Sequence, residues 1–383
     1  MRILVTVDTF YPLKDGIQNI TQLHLEQFVK NKHKVTVVTT NPYGLKNYEE
    51  YNGIEIYRVC LFTKFGIHYG EKKAYLNLVK KLSQTNDILI NVCLQSATTD
   101  ILLPYLKNLN LPKILYLHGK FDFDFNLFRK NKSMKNLIAN IYFNFRWGIY
   151  YYFVKNTLNN YNRFVNIFEN DSATVYLNKL KKQVEIIHNF YDPKLLNNDF
   201  IEKQNIIVCV SNFSELKNQE EVIDVFHDAH LENYKLILIG ERKNKYSEFL
   251  EKKCENLYGL KQKNIVFKYG LEKTEIFNYL KLSKIFIFCS KTEKFPVVLI
   301  ESLINNTPFI SKNIGLIRYL PGGIVVNNKK DMIWWIKEFV LDDILRNSYA
   351  NLGYTHVKKY FNFEIENKKF EKIMEETINL YEK

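Results

Sequence analysis

The chain has 383 residues, 46% hydrophobic and 25% charged. That composition excludes a disordered, collagenous or coiled-coil protein and, at roughly 150 residues per domain, implies two or three domains. Lys and Arg total 54 against 41 Asp and Glu, a formal charge of +13; residues 1–200 hold 26 basic and 16 acidic side chains (+10), residues 201–383 hold 28 and 25 (+3). So basic a first half suits an anionic membrane, a nucleic acid or a phosphorylated substrate.

Short apolar runs mark the strands. In the first half they are 3–7, 34–39, 87–92, 113–118, 163–168 and 185–189. In the second they are 205–210, 235–240, 264–269, 284–290, 308–311 and 323–327. Each is rich in Val, Ile and Leu with little alternation, the pattern of parallel strands covered on both faces. Amphipathic segments lie between them, among them 218–229, 247–257 and 297–305, and a last charged helix is expected over 362–383. Two sets of strand–helix–strand units imply an α/β protein of two Rossmann-like, doubly wound domains facing a central cleft. The break is expected near residues 191–202, where Asp192-Pro193 and Asn197-Asn198-Asp199 interrupt the pattern. The first domain is then 1–195, with the last helix packing back on it, and the second is 196–361.

Five cysteines without a C-x-x-C pair read as reduced thiols of a cytoplasmic protein. The run Ile3–Val7 is too short for a secretory signal, and no uncharged apolar stretch reaches the ~18 residues of a membrane span.

Ligands of open α/β sheets sit at the carboxyl ends of strands, and the segment Ser290-Lys-Thr-Glu293-Lys294-Phe295-Pro296-Val297-Val298-Leu-Ile-Glu301 follows one. Pro296 is placed to open a helix as its first residue. The amides of Val297 and Val298 then make a phosphate site flanked by two carboxylates. A nucleotide sugar needs those parts: amides for the diphosphate, one carboxylate for sugar hydroxyls and one for ribose.

Glu293-x7-Glu301, with Thr307-Pro308 after it, resembles the E-x7-E signature of retaining GT-B glycosyltransferases, the large family 4. Other pieces follow in the family's order: Ile3–Val7 with Asp15-Gly16, Lys32–Thr39, His118-Gly119, His188–Asp192, Val210–Gln219 and Gly315–Gly323. The resemblance implies metal-independent transfer from a UDP- or GDP-linked sugar, with no cofactor. It gives Lys217 the diphosphate, Gly16 a close backbone approach to the phosphates, His118 the reacting sugar, Glu293 the sugar hydroxyls and Glu301 the ribose. Asn212 stands where the family has Arg, which removes a bidentate phosphate donor, and Lys294 stands where it has Gly. GT-B nucleotide-sugar 2-epimerases and non-catalytic relatives are the alternative readings.

Asp122-Phe-Asp124 matches a D-x-D metal motif but is read as ordinary chain, and no metal site is expected. Residues 126–163 hold seven basic side chains and no acidic one, with eight aromatics between Tyr142 and Phe153. That suits an anionic membrane surface. No nucleic-acid motif accompanies it, so no nucleic-acid partner is expected. The whole reads as a cytoplasmic, membrane-peripheral enzyme acting on a glycan or lipid-linked acceptor.

Overall fold

A computed structural model of the chain describes residues 1–13, 16–41, 43–120, 134–196, 201–258, 264–293 and 295–382. It comprises two compact units, Met1–His188 with Glu364–Lys383, and Asn189–Phe363.

In the first unit the strands are β1 (Arg2–Val7), β2 (Lys34–Thr40), β3 (Tyr48–Tyr51), β4 (Ile54–Val59), β5 (Leu61–Lys64), β6 (Ile67–Gly70), β7 (Ile88–Val92), β8 (Lys113–Tyr116), β9 (Arg163–Asn166) and β10 (Val184–Ile186). Eight of these form one sheet in the order β10-β9-β8-β7-β1-β2-β4-β3, and β5 and β6 pair as a separate hairpin. The pairing is parallel throughout the large sheet except between β3 and β4. Its centre is buried on both faces: Ile3, Leu4, Val37, Val38, Ile88 and Leu89 are all inaccessible. This is why those strands read as unbroken apolar runs.

The C-terminal helix Phe363–Glu382 packs on the helix Gly16–Lys30. Phe370 meets Phe28 edge-on at 5.7 Å, and His24 Nδ1 lies 2.8 Å from Asn367 Oδ1. Glu366 accepts the His188 backbone N–H at 2.9 Å. The first unit thus keeps both ends of the chain.

Two hairpins, β3–β4 and β5–β6, add to the strands that the apolar runs imply. The first turns at Asn52-Gly53, both at positive φ (50° and 77°), the pair that a two-residue turn of this hand favours. Adding a Cβ at Gly53 would put it 2.8 Å from Val29 Cγ1.

The second unit holds β11 (Gln204–Val210), β12 (Lys235–Gly240), β13 (Ile265–Tyr269), β14 (Ser283–Phe288), β15 (Phe309–Lys312) and β16 (Gly323–Val326). They are parallel in the order β13-β12-β11-β14-β15-β16. That order reverses between β11 and β14, so a crevice for ligands is expected at their carboxyl ends. Among the described residues no helix is long and apolar enough to cross a membrane.

Candidate functional site

The loops after β11 and β14 flank the reversal point of the second sheet. Ser211–Asn218 leads from β11 into the helix Gln219–Ala229. Buried Gln219 braces this loop from inside, its Nε2 donating to Ser211 Oγ (2.8 Å) and to the Asn212 carbonyl (3.0 Å). Asn218 takes the left-handed conformation (φ 55°) that Asn tolerates. The two loops are joined directly, since the Lys291 N–H donates to the Leu216 carbonyl at 2.8 Å and Asn218 Nδ2 to the Cys289 carbonyl at 3.3 Å.

Onto this frame the structure brings two of the predicted residues together. The Lys217 ammonium forms an ion pair with the Glu293 carboxylate. Glu293 is the more buried partner, at 11% side-chain exposure against 31% for Lys217. Ser290, just past β14, is fully buried, and its Oγ has no partner among the described residues.

Past Glu293 the chain enters the helix Val297–Ile304. Pro296 was expected as its first residue; it is instead the cap, in extended conformation (φ −72°, ψ 120°). Among the described residues no side chain caps this helix, and the Leu299 N–H bonds back to the Pro296 carbonyl at 3.1 Å. The N–H groups of Val297 and Val298 have no intrahelical acceptor, as at any helix start.

Glu301 lies in the second turn, apart from the Lys217–Glu293 pair in its bonding. Only 7% exposed, it has Lys273 Nζ 3.7 Å from Oε1. Burial pushes its carboxyl above the usual range, the negative charge of Asp192 adds to that, and Lys273 opposes it. Phe295 turns into the core, where its ring stacks on Phe361 at 5.5 Å, while its carbonyl accepts from Asn189 Nδ2 at 3.3 Å. Its side chain therefore serves packing. Asn212 is exposed, and its Oδ1 accepts the Glu241 N–H at 3.4 Å. Lys294, like Asp15, Asp122 and Asp124, lies outside the described residues.

Gly16 and His118 belong to the first unit. A Cβ added at Gly16 would meet nothing within 4 Å, so the packing of the chain itself does not require glycine there. His118 follows β8, with its ring 4.4 Å from Tyr116 and its Nε2 without a partner among the described residues. Burial, then the nearby His24, lowers its pKa to about 3. The imidazole is neutral at pH 7 and can give or take a hydrogen bond but not a formal charge.

Lys273, Asn189 and Gln219 were not singled out from the sequence. Lys273 sits in Glu272-Lys273-Thr274-Glu275, a charged helix start like many others; only the packing of Glu301 against it gives it meaning. Among the described residues no group of three or more His, Cys, Asp or Glu is arranged to hold a metal ion.

Residues 194–356 match the family model of glycosyl transferases group 1. An uncharacterized glycosyltransferase of Methanocaldococcus jannaschii is 32% identical over 151 residues, 36% of this chain and 35% of that protein. The capsular polysaccharide biosynthesis glycosyltransferase CapH of Staphylococcus aureus is 32% identical over 137 residues, 35% of this chain and 37% of that one. These matches span about a third of the length of the curated relatives. Among solved structures, sucrose-phosphate synthase from Thermosynechococcus elongatus superposes with a TM-score of 0.74 at 14% identity, over 99% of both chains. Anabaena HepE in complex with UDP and glucose superposes at 0.69 and 14%, over 98% of this chain and 100% of that one. The chain therefore has the GT-B fold, with Rossmann-like parallel sheets in both units.

Proposed function

We propose that the protein is a glycosyltransferase whose second unit binds the nucleotide-sugar donor. The observation that carries this is the Lys217–Glu293 pair, set on hydrogen-bonded loops at the reversal point of β11 and β14 beside an uncapped helix start. The part of the chain matched by the group 1 family covers all of these residues.

In this reading the Val297 and Val298 amides and the Lys217 ammonium bind the diphosphate. They stabilise the negative charge that grows on it as the sugar leaves. Lys217 exchanges its partner Glu293 for phosphate, which frees the Glu293 carboxylate to accept hydrogen bonds from sugar hydroxyls. Glu301 does the same for ribose. A lysine and helix amides supply the positive charge, and the transfer is proposed to run without a metal. It proceeds with retention: the acceptor hydroxyl forms its bond to the anomeric carbon on the face from which the phosphate departs, and the departing phosphate oxygen takes its proton. The roles proposed for Gly16 and His118 are those the resemblance implies, a backbone close to the phosphates and a hydrogen bond from a neutral imidazole to the sugar. UDP, present in the HepE complex, is the first donor base to test, and GDP the second.

The acceptor is proposed to be a glycan or lipid-linked sugar in surface polysaccharide assembly, at the inner face of the cytoplasmic membrane. The support is the helix Met134–Thr157, which carries no acidic residue and exposes Ile138, Ile141, Phe145, Ile149 and Tyr152. Apolar side chains at this spacing with basic ones around them suit an anionic bilayer surface.

A thermal-shift panel of UDP- and GDP-linked sugars tests the donor proposal. A true donor at a hundred times its Kd stabilises the protein by roughly 2.7 kcal/mol. Binding of neither nucleotide would refute the assignment and favour a non-catalytic relative. An epimer appearing from donor alone would favour the 2-epimerase reading.

A further inference from the structure

We infer that the β5–β6 hairpin is a second membrane-contacting element, which with the helix Met134–Thr157 makes one continuous surface for an anionic bilayer. This rests on the membrane association proposed above and adds to it a part of the chain outside residues 126–163.

The helix is apolar on two opposite sides. Phe143, Trp147, Tyr150, Tyr151 and Val154 turn into the first unit's core. At about 100° per residue, the exposed Ile138, Ile141, Phe145, Ile149 and Tyr152 fall on the far side. Burial in the core explains the first side only.

The hairpin repeats the anomaly. A two-stranded hairpin is marginal in water and gains nothing there by exposing large apolar groups. Yet Phe62, Ile67 and Tyr69 are all exposed, and the rings of Phe62 and Tyr69 stack at 5.6 Å. Its turn is Phe65-Gly66, with φ of 51° and 72°. Positive φ at both positions calls for Asn, Asp or Gly first, as at Asn52-Gly53. A bulky aromatic there is strained. Phe65 is nevertheless 67% exposed, so neither turn geometry nor the core accounts for it.

Hairpin and helix are held together. Tyr142 donates to the Phe65 carbonyl at 2.8 Å and Arg146 to the Gly66 carbonyl at 2.9 Å. A Cβ on Gly66 would sit 3.3 Å from the Trp147 ring, so the turn rests on that indole. Asp100 ties the hairpin to the helix through His68 Nε2 (2.9 Å) and the Tyr150 hydroxyl (2.6 Å). The tip is thereby fixed against the helix, on the flank of the exposed stripe.

Charge selects the partner. Lys64, Lys135, Arg146 and Lys155 lie in these two segments, and no acidic residue does. The Lys155 ammonium sits 4.4 Å from the centre of the Tyr152 ring, basic and aromatic groups side by side as at a headgroup boundary. A second copy of the chain would bring the same positive charge and be repelled. Isoleucines at the centre of the stripe cannot stack on bases. An anionic lipid surface fits both the apolar groups and the charge.

The experiment is flotation with vesicles of phosphatidylcholine and phosphatidylglycerol, comparing the wild-type chain, Phe65→Asp/Ile67→Asp, Phe145→Glu, and Phe249→Glu as a control on an exposed aromatic of the second unit. Wild type and control are expected to float, and both the hairpin and the helix variants to lose binding by about tenfold or more. Should the hairpin variant melt early, Phe65→Trp with brominated lipids replaces it, with quenching beyond that of wild type expected. Wild type that never floats sinks the membrane reading, and this inference with it. Wild type that floats beside an equally bound hairpin variant, or an unquenched Phe65→Trp, overturns this inference alone. So does a hairpin variant that disrupts a dimer seen by sedimentation while vesicle binding persists.

Discussion

The two sheets share one architecture but treat their reversal points differently. In the first unit the strand order reverses between β1 and β7, and the helix start there is satisfied by the chain itself. The Asp8 carboxylate, just past β1, accepts from the Ala97 N–H (2.9 Å), the Thr98 N–H (2.8 Å) and the Thr98 hydroxyl (2.9 Å), and Ser96 caps Thr99. The amides of that helix start are satisfied internally. In the second unit the corresponding helix begins at a proline with no capping side chain, and the nearby charges are a lysine and a glutamate that can part. The same fold thus satisfies one helix start with its own aspartate and, among the described residues, gives the other no such internal acid. A Rossmann-like order marks where a site can be, and the residues after the strands decide whether one is.

The strongest way to break this contrast is to remove the charges of the second crevice. Lys217→Ala and Glu293→Ala are each expected to cut transfer by on the order of a hundredfold or more, because in the proposed mechanism Lys217 stabilises the departing diphosphate and Glu293 holds the sugar that leaves it; unchanged initial rates would remove both from the reaction. The converse change in the first unit, Asp8→Ala, strips three donors of their acceptor. It should cost about 2–4 kcal/mol in urea unfolding while nucleotide binding by the second unit persists.

Acid should also separate the units. Among the described residues, the imidazoles pushed below their ordinary range all lie in the first unit: His24 goes to about 4, His118 to about 3, and His33 is lowered as well, each chiefly by burial. The unfolded chain takes up these protons first, near pH 6.5. Stability present above that pH is therefore lost as pH falls toward about 3, by an amount on the order of a few kcal/mol. Hydrogen exchange should show the helix Gly16–Lys30 opening on acidification before β11–β14. His24→Gln should flatten that dependence, and an unaltered pH profile would count against it.

The smallest effect is expected at Glu301, whose raised carboxyl makes ionisation unfavourable in the folded chain. That penalty is absent below the carboxyl's unfolded value and is fully felt once pH has risen past its folded value. Glu301→Gln should then raise the melting temperature at pH 7 slightly while weakening nucleotide affinity by about tenfold, a trade of stability against binding. A lower melting temperature would show that the Lys273 pairing outweighs burial.

Much of this was legible in the sequence because buried parallel strands must be apolar on both faces. The runs around Leu4, Val37, Val208 and Phe286 announced the two sheets, and Glu293 and Glu301 stood out as charges placed right after one. The Asn52-Gly53 hairpin carries its own local turn signal; the Phe65-Gly66 hairpin carries none, since Phe at that turn contradicts local preference. Other features belong to three dimensions. That Lys217 meets Glu293, Glu301 meets Lys273, Asp8 satisfies the first unit's helix start and Phe295 faces inward depends on segments distant in the chain, and no local spacing encodes it. The sequence determined which segments would form sheets, because burial imposes a pattern on each strand separately. Only the tertiary structure decided which charges would face one another and which aromatics would face water, because those follow from how the finished elements pack.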